Sequence, residues 1–435
     1  MAGDAPVRMT IEALIASGAI IAHKDGNYGS SYPRVEEFGT EGVPFLTAKS
    51  LREGYVDIDG APRLGNNRAD ELTFGFVQTD DVLLSHNATI GRVAVVPQHK
   101  GRLLVGTSLT YFRLNPQKLL PRYLAVYFAG AEFQNQLVAV MSHSTRNQVP
   151  VTAQRKLHVV VPPLAEQRAI AGVLGALDDK IELNRRMNAT LESMARALFQ
   201  SWFVDFDPVR AKLDGRQPVG TDDETAGLFP EHLEESPLGN IPAGWKAGTV
   251  VDGFNLTMGQ SPPGETYNEE SKGIPFYQGR TDFGFRYPIR RIYCTMPTRY
   301  AKPGDTLVSV RAPVGDINMA NEDCCIGRGV AAVRHKSGAT AFTYHSIANL
   351  YPDFARFEAE GTVFGSINKD SFEKLRFVIP PDDIIVAYER QAGAFDEEIR
   401  ILENQSRSLA TLRDSFLPKL LSGKLSVNSI NSKET

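Results

Sequence analysis

The chain has 435 residues, 42% hydrophobic and 23% charged, with a formal net charge of −4. That length and composition allow two or three globular domains and exclude a disordered chain or a uniformly basic one, while leaving local basic patches possible. The three cysteines, Cys294, Cys324 and Cys325, make no CxxC pair, so neither a disulfide framework nor a zinc site is read. No run reaches 18 apolar residues, and "MAGDAPVRMT" lacks the basic start and apolar core of a signal peptide. The expectation is a cytoplasmic protein.

Taken in order, the chain spells one pattern twice. "GVPFLTAKSLREG" from Gly42 is answered by "GIPFYQGRTDFGF" from Gly273, and "DDVLLSHNATIGRVAVV" from Asp80 by "GDTLVSVRAPVGDINMA" from Gly304. "VGTSLTYFRL" from Val105 parallels "IGRGVAAVRH" from Ile326, and "RKLHVVVPPL" from Arg155 parallels "EKLRFVIPPD" from Glu373. The offsets fall from 231 through 224 and 221 to 218, as small loop deletions in one copy would leave them. Each half opens with short β-like runs bounded by Gly or Pro, with some helix mixed in, as in "LLPRYLAVYFAGAEFQNQLVAVM" from Leu119. A Pro-Pro pair then stops the last strand and a long helix follows, "PPLAEQRAIAGVLGALDDKI" from Pro162 and "PPDDIIVAYERQAGAFDEEI" from Pro380.

Both long helices carry a 4-3 apolar seam. In the first it runs Ile170, Leu174, Leu177, Ile181, Asn184, Asn188, Leu191, Ala195, Leu198, Trp202. In the second it runs Tyr388, Ala392, Phe395, Ile399, Leu402, Ser406, Leu409, Arg413, Phe416, Leu420. Asn184, Asn188 and Ser406 either set the register or are polar residues tolerated in mid-helix. Glu166 to Phe203 would make a rod of about 57 Å at ~1.5 Å per residue. Two seams in one chain are expected to pair with each other. Between the halves, Asp207–Asn240 is rich in Pro, Gly and acidic residues and reads as a surface linker.

This layout resembles the specificity subunit of Type I restriction–modification systems. The resemblance rests on "PPLAEQRAIAGVLGALDDKIELNRR", "ALFQSWFVDFDPVRAK", "LGNIPAGWK" and "LRDSFLPKLLSGKLSV", with "DGNYGSSYPR" and "GQSPPGETYNEESKGIPFYQG" as domain openings. It covers nearly the whole chain. One departure is Asp382 and Asp383 where the first copy has Leu164 and Ala165, so the two helix starts need not dock alike. The resemblance implies two mixed α/β target-recognition domains, separated by an antiparallel coiled coil and related by a pseudo-two-fold. The boundaries expected are 1–161 and 241–379 for the recognition domains, 162–206 and 380–422 for the helical regions, 207–240 for the linker and 423–435 for a tail.

The resemblance also implies a non-catalytic chain that reads a split, asymmetric site on double-stranded DNA. Two modification subunits would bind S-adenosylmethionine and methylate adenine, and restriction subunits would use ATP and Mg²⁺. The residues agree, for there is no GxxxxGK[ST] loop, no Asn-Pro-Pro-aromatic tetrapeptide and no metal spacing among the eight histidines. His23, His86, His143 and His345 read as structural or surface residues. A stand-alone bipartite DNA-binding regulator is the alternative, and a scaffold without nucleic acid is a third reading.

Basic residues cluster in both halves. Ser85–Lys118 holds five cations and no acid, and Lys272–Lys336 holds eleven against five acids. Such patches suit phosphate contacts. The turn-rich loops "SHNATIGR" and "SVRAPVGD" follow matching β-like runs and offer Asn87, suited to adenine, and Arg311, suited to guanine. Arg92, Arg113 and Arg328 lie in the patches, and "LTAKS" and "YQGRT" add Lys49, Gln278 and Arg280. Near the domain ends, "STRNQ" and "VFGSI" point to Arg146, Asn147 and Gln148, and to Ser366, Asn368 and Lys369. Which of these meet bases and which meet phosphates stays open.

Overall fold

The computed structural model describes residues 6–27, 29–52, 54–87, 89–142, 148–359, 365–422 and 424–425. The chain divides into two compact units, Met1–Arg185 with Asn404–Thr435, and Arg186–Glu403. Both long helices, Leu164–Phe203 and Asp382–Leu421, are 40 residues long, and each gives one half to either unit.

The first unit holds an antiparallel four-stranded sheet in the order Ile20–Asp25, Leu109–Leu114, Val82–Ser85, Val93–Val95. Beside it lies a five-stranded sheet in the order Phe38–Gly39, Arg63–Leu64, Val43–Leu46, Leu103–Val105, Phe76–Val77, with its one parallel pair between Val43–Leu46 and Leu103–Val105. A two-stranded ribbon pairs Val7–Thr10 with His158–Val161. The central strand Val82–Ser85 is buried at every residue, which suits the apolar Val82, Leu83 and Leu84. Helix Pro121–Ala129 opens on a proline, where a missing N–H costs nothing. Its Tyr123 and Phe128 pack with Ile20, Val82 and Phe112 from the sheet, with Ile170 and Leu174 from the first long helix and with Leu417 and Leu420 from the second.

The second unit repeats this strand for strand. Its four-stranded sheet runs Phe254–Met258, Val330–His335, Thr306–Ser309, Ile317–Met319. Its five-stranded sheet runs Tyr267–Asn268, Tyr293–Cys294, Ile274–Tyr277, Cys324–Ile326, Tyr300–Ala301, with the parallel pair again between third and fourth. Lys246–Thr249 pairs with Arg376–Ile379. Phe199, Trp202, Phe203, Phe342 and Tyr388 join helix ends to the sheet in one aromatic core, where each fully buried large side chain is worth roughly 1.5–3 kcal/mol.

The helices run antiparallel in both units. In the first, Asp178 meets Arg413 at 2.8 Å while Asn184 donates to Gln405 Oε1 at 2.8 Å and Ser406 Oγ at 3.2 Å. In the second, the Tyr388 hydroxyl donates to the Ala195 carbonyl at 3.2 Å. No position of either seam is exposed. The two helix starts dock differently. Gln167 accepts from the Leu120 amide at 2.9 Å, just ahead of helix Pro121–Ala129. In the second unit the corresponding task falls to Glu389, one turn further along, which accepts from the amides of Thr340, Ala341 and Phe342 at 2.8–3.1 Å. Three orphan amides at a helix start favour a carboxylate there.

Two expectations are corrected. The acidic stretch 207–240 is folded rather than a bare linker: it forms helices Asp207–Leu213 and Asp223–Leu228 and a hairpin, Leu233–Ser236 with Gly239–Pro242. Val209 and Phe229 sit between the charges and, with Ile241 just after the stretch, are buried in the second unit's core. Arg286 does not belong to a basic surface. It is fully buried, paired with Glu192 of the first long helix and, at 2.5 Å, with Asp396 of the second, its guanidinium 3.9 Å from the centre of the Tyr344 ring. Among the described residues no helix is long and apolar enough to cross a membrane.

Candidate nucleic-acid interface

In each unit a central strand ends in a serine that closes the loop after it. The Ser85 amide donates to the Arg92 carbonyl at 2.9 Å, and the Ser85 hydroxyl accepts from the Arg92 amide at 2.8 Å. Ser309 does the same with Asp316, its hydroxyl accepting from the Asp316 amide at 3.0 Å. Gly91 and Gly315 finish the two loops at φ +89° and +90°. A side chain there would be strained, and its Cβ would stand 2.3 Å from Gln134 Oε1 or 2.5 Å from Phe354 Cβ.

The second residue after each serine is joined to the far loop of its own domain. Asn87 bridges to Gln148, flanked by the Val149 amide donating to the His86 carbonyl at 2.9 Å. Arg311 bridges to Ser366, flanked by the Ile367 amide donating to the Val310 carbonyl at 3.1 Å. The two loops singled out in each half of the sequence therefore lie side by side, with Gln148 matching Ser366, one residue off the pairing of "STRNQ" with "VFGSI". Asn87 and Gln148 are half-buried amides; Arg311 and Ser366 are exposed. Arg146 and Asn147 lie outside the described residues.

A third turn is tied to the same loops. Arg92 donates to the carbonyls of Ala48 and Leu51 at 3.2 and 3.1 Å, holding the turn that carries exposed Lys49. In the second unit the tie is an ion pair between Arg280 and Asp316, next to exposed Gln278. One pairing uses backbone acceptors and the other a carboxylate, yet both hold the same pair of loops.

Several candidates serve the fold. Arg113 is held at 2.9 and 2.7 Å by Asp81, as Arg334 is held at 2.5 Å by Asp305 at the matching place. Asn368 caps helix Lys369–Glu373 by accepting from the Ser371 amide at 2.8 Å, and Lys369 pairs with Glu373 at 3.5 Å. Of the eleven cations between Lys272 and Lys336, seven contact carboxylates, and Lys336 donates to the carbonyls of Val251 and Asp252. Arg299, Arg311 and Arg328 are exposed and carry no carboxylate partner among the described residues. A solvated guanidinium on a fixed loop can form a bidentate contact with guanine or a charge contact with phosphate.

Comparison with known proteins decides the family. The model described as "Type I restriction modification DNA specificity domain" matches residues 39–193 and again 242–404, well over half of the chain. The chain belongs to the Type I restriction–modification DNA specificity family. One similar family member is the Methanocaldococcus jannaschii protein called "Putative type I restriction enzyme MjaX specificity subunit", 27% identical, covering 89% of this chain and 88% of that one. Another is the Haemophilus influenzae type I restriction enzyme HindI specificity subunit, 25% identical over 77% of this chain and 84% of that one. The fold is also that of a Type-I restriction-modification system S subunit from M. genitalium, with TM-score 0.51, 14% identity and 96% of both chains covered. Each match spans most of one recognition fold and runs into the long helix after it, so the paired loops at Asn87/Gln148 and Arg311/Ser366 lie one pair in each matched region.

Sequence reading missed one group. Beneath the first loop pair, His86 Nε2 stands 3.2 Å from Asp25 Oδ1, which also accepts from Thr110 Oγ1 at 2.8 Å. Gln154 Nε2 donates to Thr110 Oγ1 and to the Val149 carbonyl, both at 2.9 Å, and Gln154 Oε1 accepts from His23 Nε2 at 3.1 Å. Burial lowers His86 below the usual histidine range, takes His23 down to about 4 and pushes Asp25 above the usual carboxylate range. Apart from His23 and Asp25 on one strand, the five residues lie far apart in the chain, so spacing held no signal of the group.

Proposed function

We propose that this chain reads a split, asymmetric DNA target, one half with each recognition domain, for an assembly that methylates adenine within it. The observation that carries the reading is one backbone frame built twice and filled differently, with Asn87 and Gln148 in one domain and Arg311 and Ser366 in the other. Equal frames with unequal side chains suit a common docking geometry and two different base sequences. In this reading Lys49, Gln278, Arg280 and Arg328 position the duplex, two modification subunits dock on the helix pair with S-adenosylmethionine, and restriction subunits bring ATP and Mg²⁺. The setting is the cytoplasm.

The test is genome-wide adenine-methylation sequencing in a host carrying the chain with its modification partners. The expected result is one split motif in which Arg311→Ala relaxes one half and Asn87→Ala the other. Methylation without a split motif, or variants that alter both halves together, would reject it. Tight, specific DNA binding by the chain alone, with no methylation, would favour a stand-alone regulator.

A further inference from the structure

Because the domains match strand for strand, their cores can be compared position by position. Sheet register places Asp25 opposite Thr110 and Met258 opposite Ala331, and likewise His23 opposite Phe112 and Leu256 opposite Val333. The loop bridges equate His86 with Val310. The short helices Val151–Gln154 and Lys369–Glu373 equate Gln154 with Phe372. The five polar residues under the first loop pair thus correspond to Met258, Leu256, Ala331, Val310 and Phe372, none of them polar.

The second domain shows that this fold needs no polar group at any of the five positions. Buried polar groups cost stability unless every one is partnered, and here His23 Nδ1 and both ring nitrogens of His86 are buried without a hydrogen bond, His86 Nε2 making only a close charge contact with Asp25. A purely structural role is therefore a poor account of the network. Its upper end grips the reading loops: His86 is the chain neighbour of Asn87, and both the His86 carbonyl and the Gln154 amide engage Val149, the neighbour of Gln148. Asp25, about one-quarter exposed, is the one member open to solvent there.

We infer that Asp25, His86, Thr110, Gln154 and His23 form a positioning network that sets Asn87 and Gln148 for base recognition in the first half-site alone. The inference rests on the proposed function. Its members act through the reading pair, and the second half-site is read without any equivalent.

The experiment uses the chain assembled with its modification subunits and measures methylation rates on duplexes with single base changes in either half-site. Asp25→Asn keeps shape and removes the charge; Thr110→Ala installs the second domain's residue. Both are expected to reduce first-half discrimination about tenfold or more while leaving second-half discrimination unchanged, whatever the shift of the unfolding midpoint. Unchanged first-half discrimination in both variants overturns the inference. So does equal loss at both halves with a lowered midpoint, which would mark a structural role. Wild-type and Arg311→Ala complexes run alongside. If the wild type shows no half-site discrimination, or Arg311→Ala leaves the second half intact, the proposed function itself has failed.

Discussion

Asp178 and Asp396 occupy the same position of the two long helices, 218 residues apart, and their cations come from different places. Asp178 is met by Arg413 of the opposite helix. The residue matching Arg413 in the first helix is Ala195, so Asp396 has no such partner, and Arg286 reaches in from the recognition domain instead. Removing one member of a buried pair leaves an uncompensated charge, so Arg286→Met is expected to cost roughly 3–5 kcal/mol by denaturant titration. The triple variant with Glu192→Gln and Asp396→Asn should recover most of that loss. His345 supplies a pH test. Burial, helped by the Arg286 charge, lowers it to about 3, against 6.5 for an ordinary histidine. A lowered histidine contributes stability above about pH 6.5 that is lost as pH falls toward 3, at about 1.4 kcal/mol per pH unit. His345→Phe should remove one proton's worth of that slope in acid-titrated unfolding.

Elements show where sequence reading succeeded and where it could not. The seams were legible because a helix pair repeats one burial demand every three or four residues, and Ile170, Leu174, Ile399 and Leu402 answer it directly. Asn184 is fully buried in that seam with Gln405 and Ser406 as partners, which favours the register role over tolerance. Asn184→Leu is expected to raise the unfolding midpoint, and Asn184→Ala to lower stability by about 1–3 kcal/mol, both read by thermal melts. The acidic stretch was misread because net charge masks a few well-placed apolar residues. Phe229→Ala should cost roughly 3–5 kcal/mol, where a true linker would show nothing. The basic patch was overcounted for a related reason: a tally of cations does not reveal that Arg290 already faces Glu322, or Arg334 Asp305.

At the scale of the whole molecule the duplication was fully legible, because the falling offsets reappear as matched strands. Of the candidate site, the equivalence of the two loops was legible because their sequences match, at Asn87 and at Arg311, and each of these bridges to the far loop of its own domain. The polar network was hidden, since its members meet only in the folded domain. Replacing residues 1–161 with those of another member of the family should change one half of the methylated motif and leave the other unaltered. Arg328→Ala should lower affinity for all sequences and reduce the slope of log affinity against log salt by about 1 if it meets a phosphate.

The borrowed arginine also bears on how such proteins can change by recombination. Asp396 belongs to the helix, but its counter-ion travels with the second recognition domain. A gene segment encoding a new second domain without an arginine at the place of Arg286 would leave the recipient helix with a stranded acid. A new first domain leaves Asp178 its partner, because Arg413 stays behind in the recipient, and takes away Arg122, which pairs with the exposed Asp179. Exchange of the second domain is therefore the one that carries a buried-charge condition, met by an arginine at the place of Arg286.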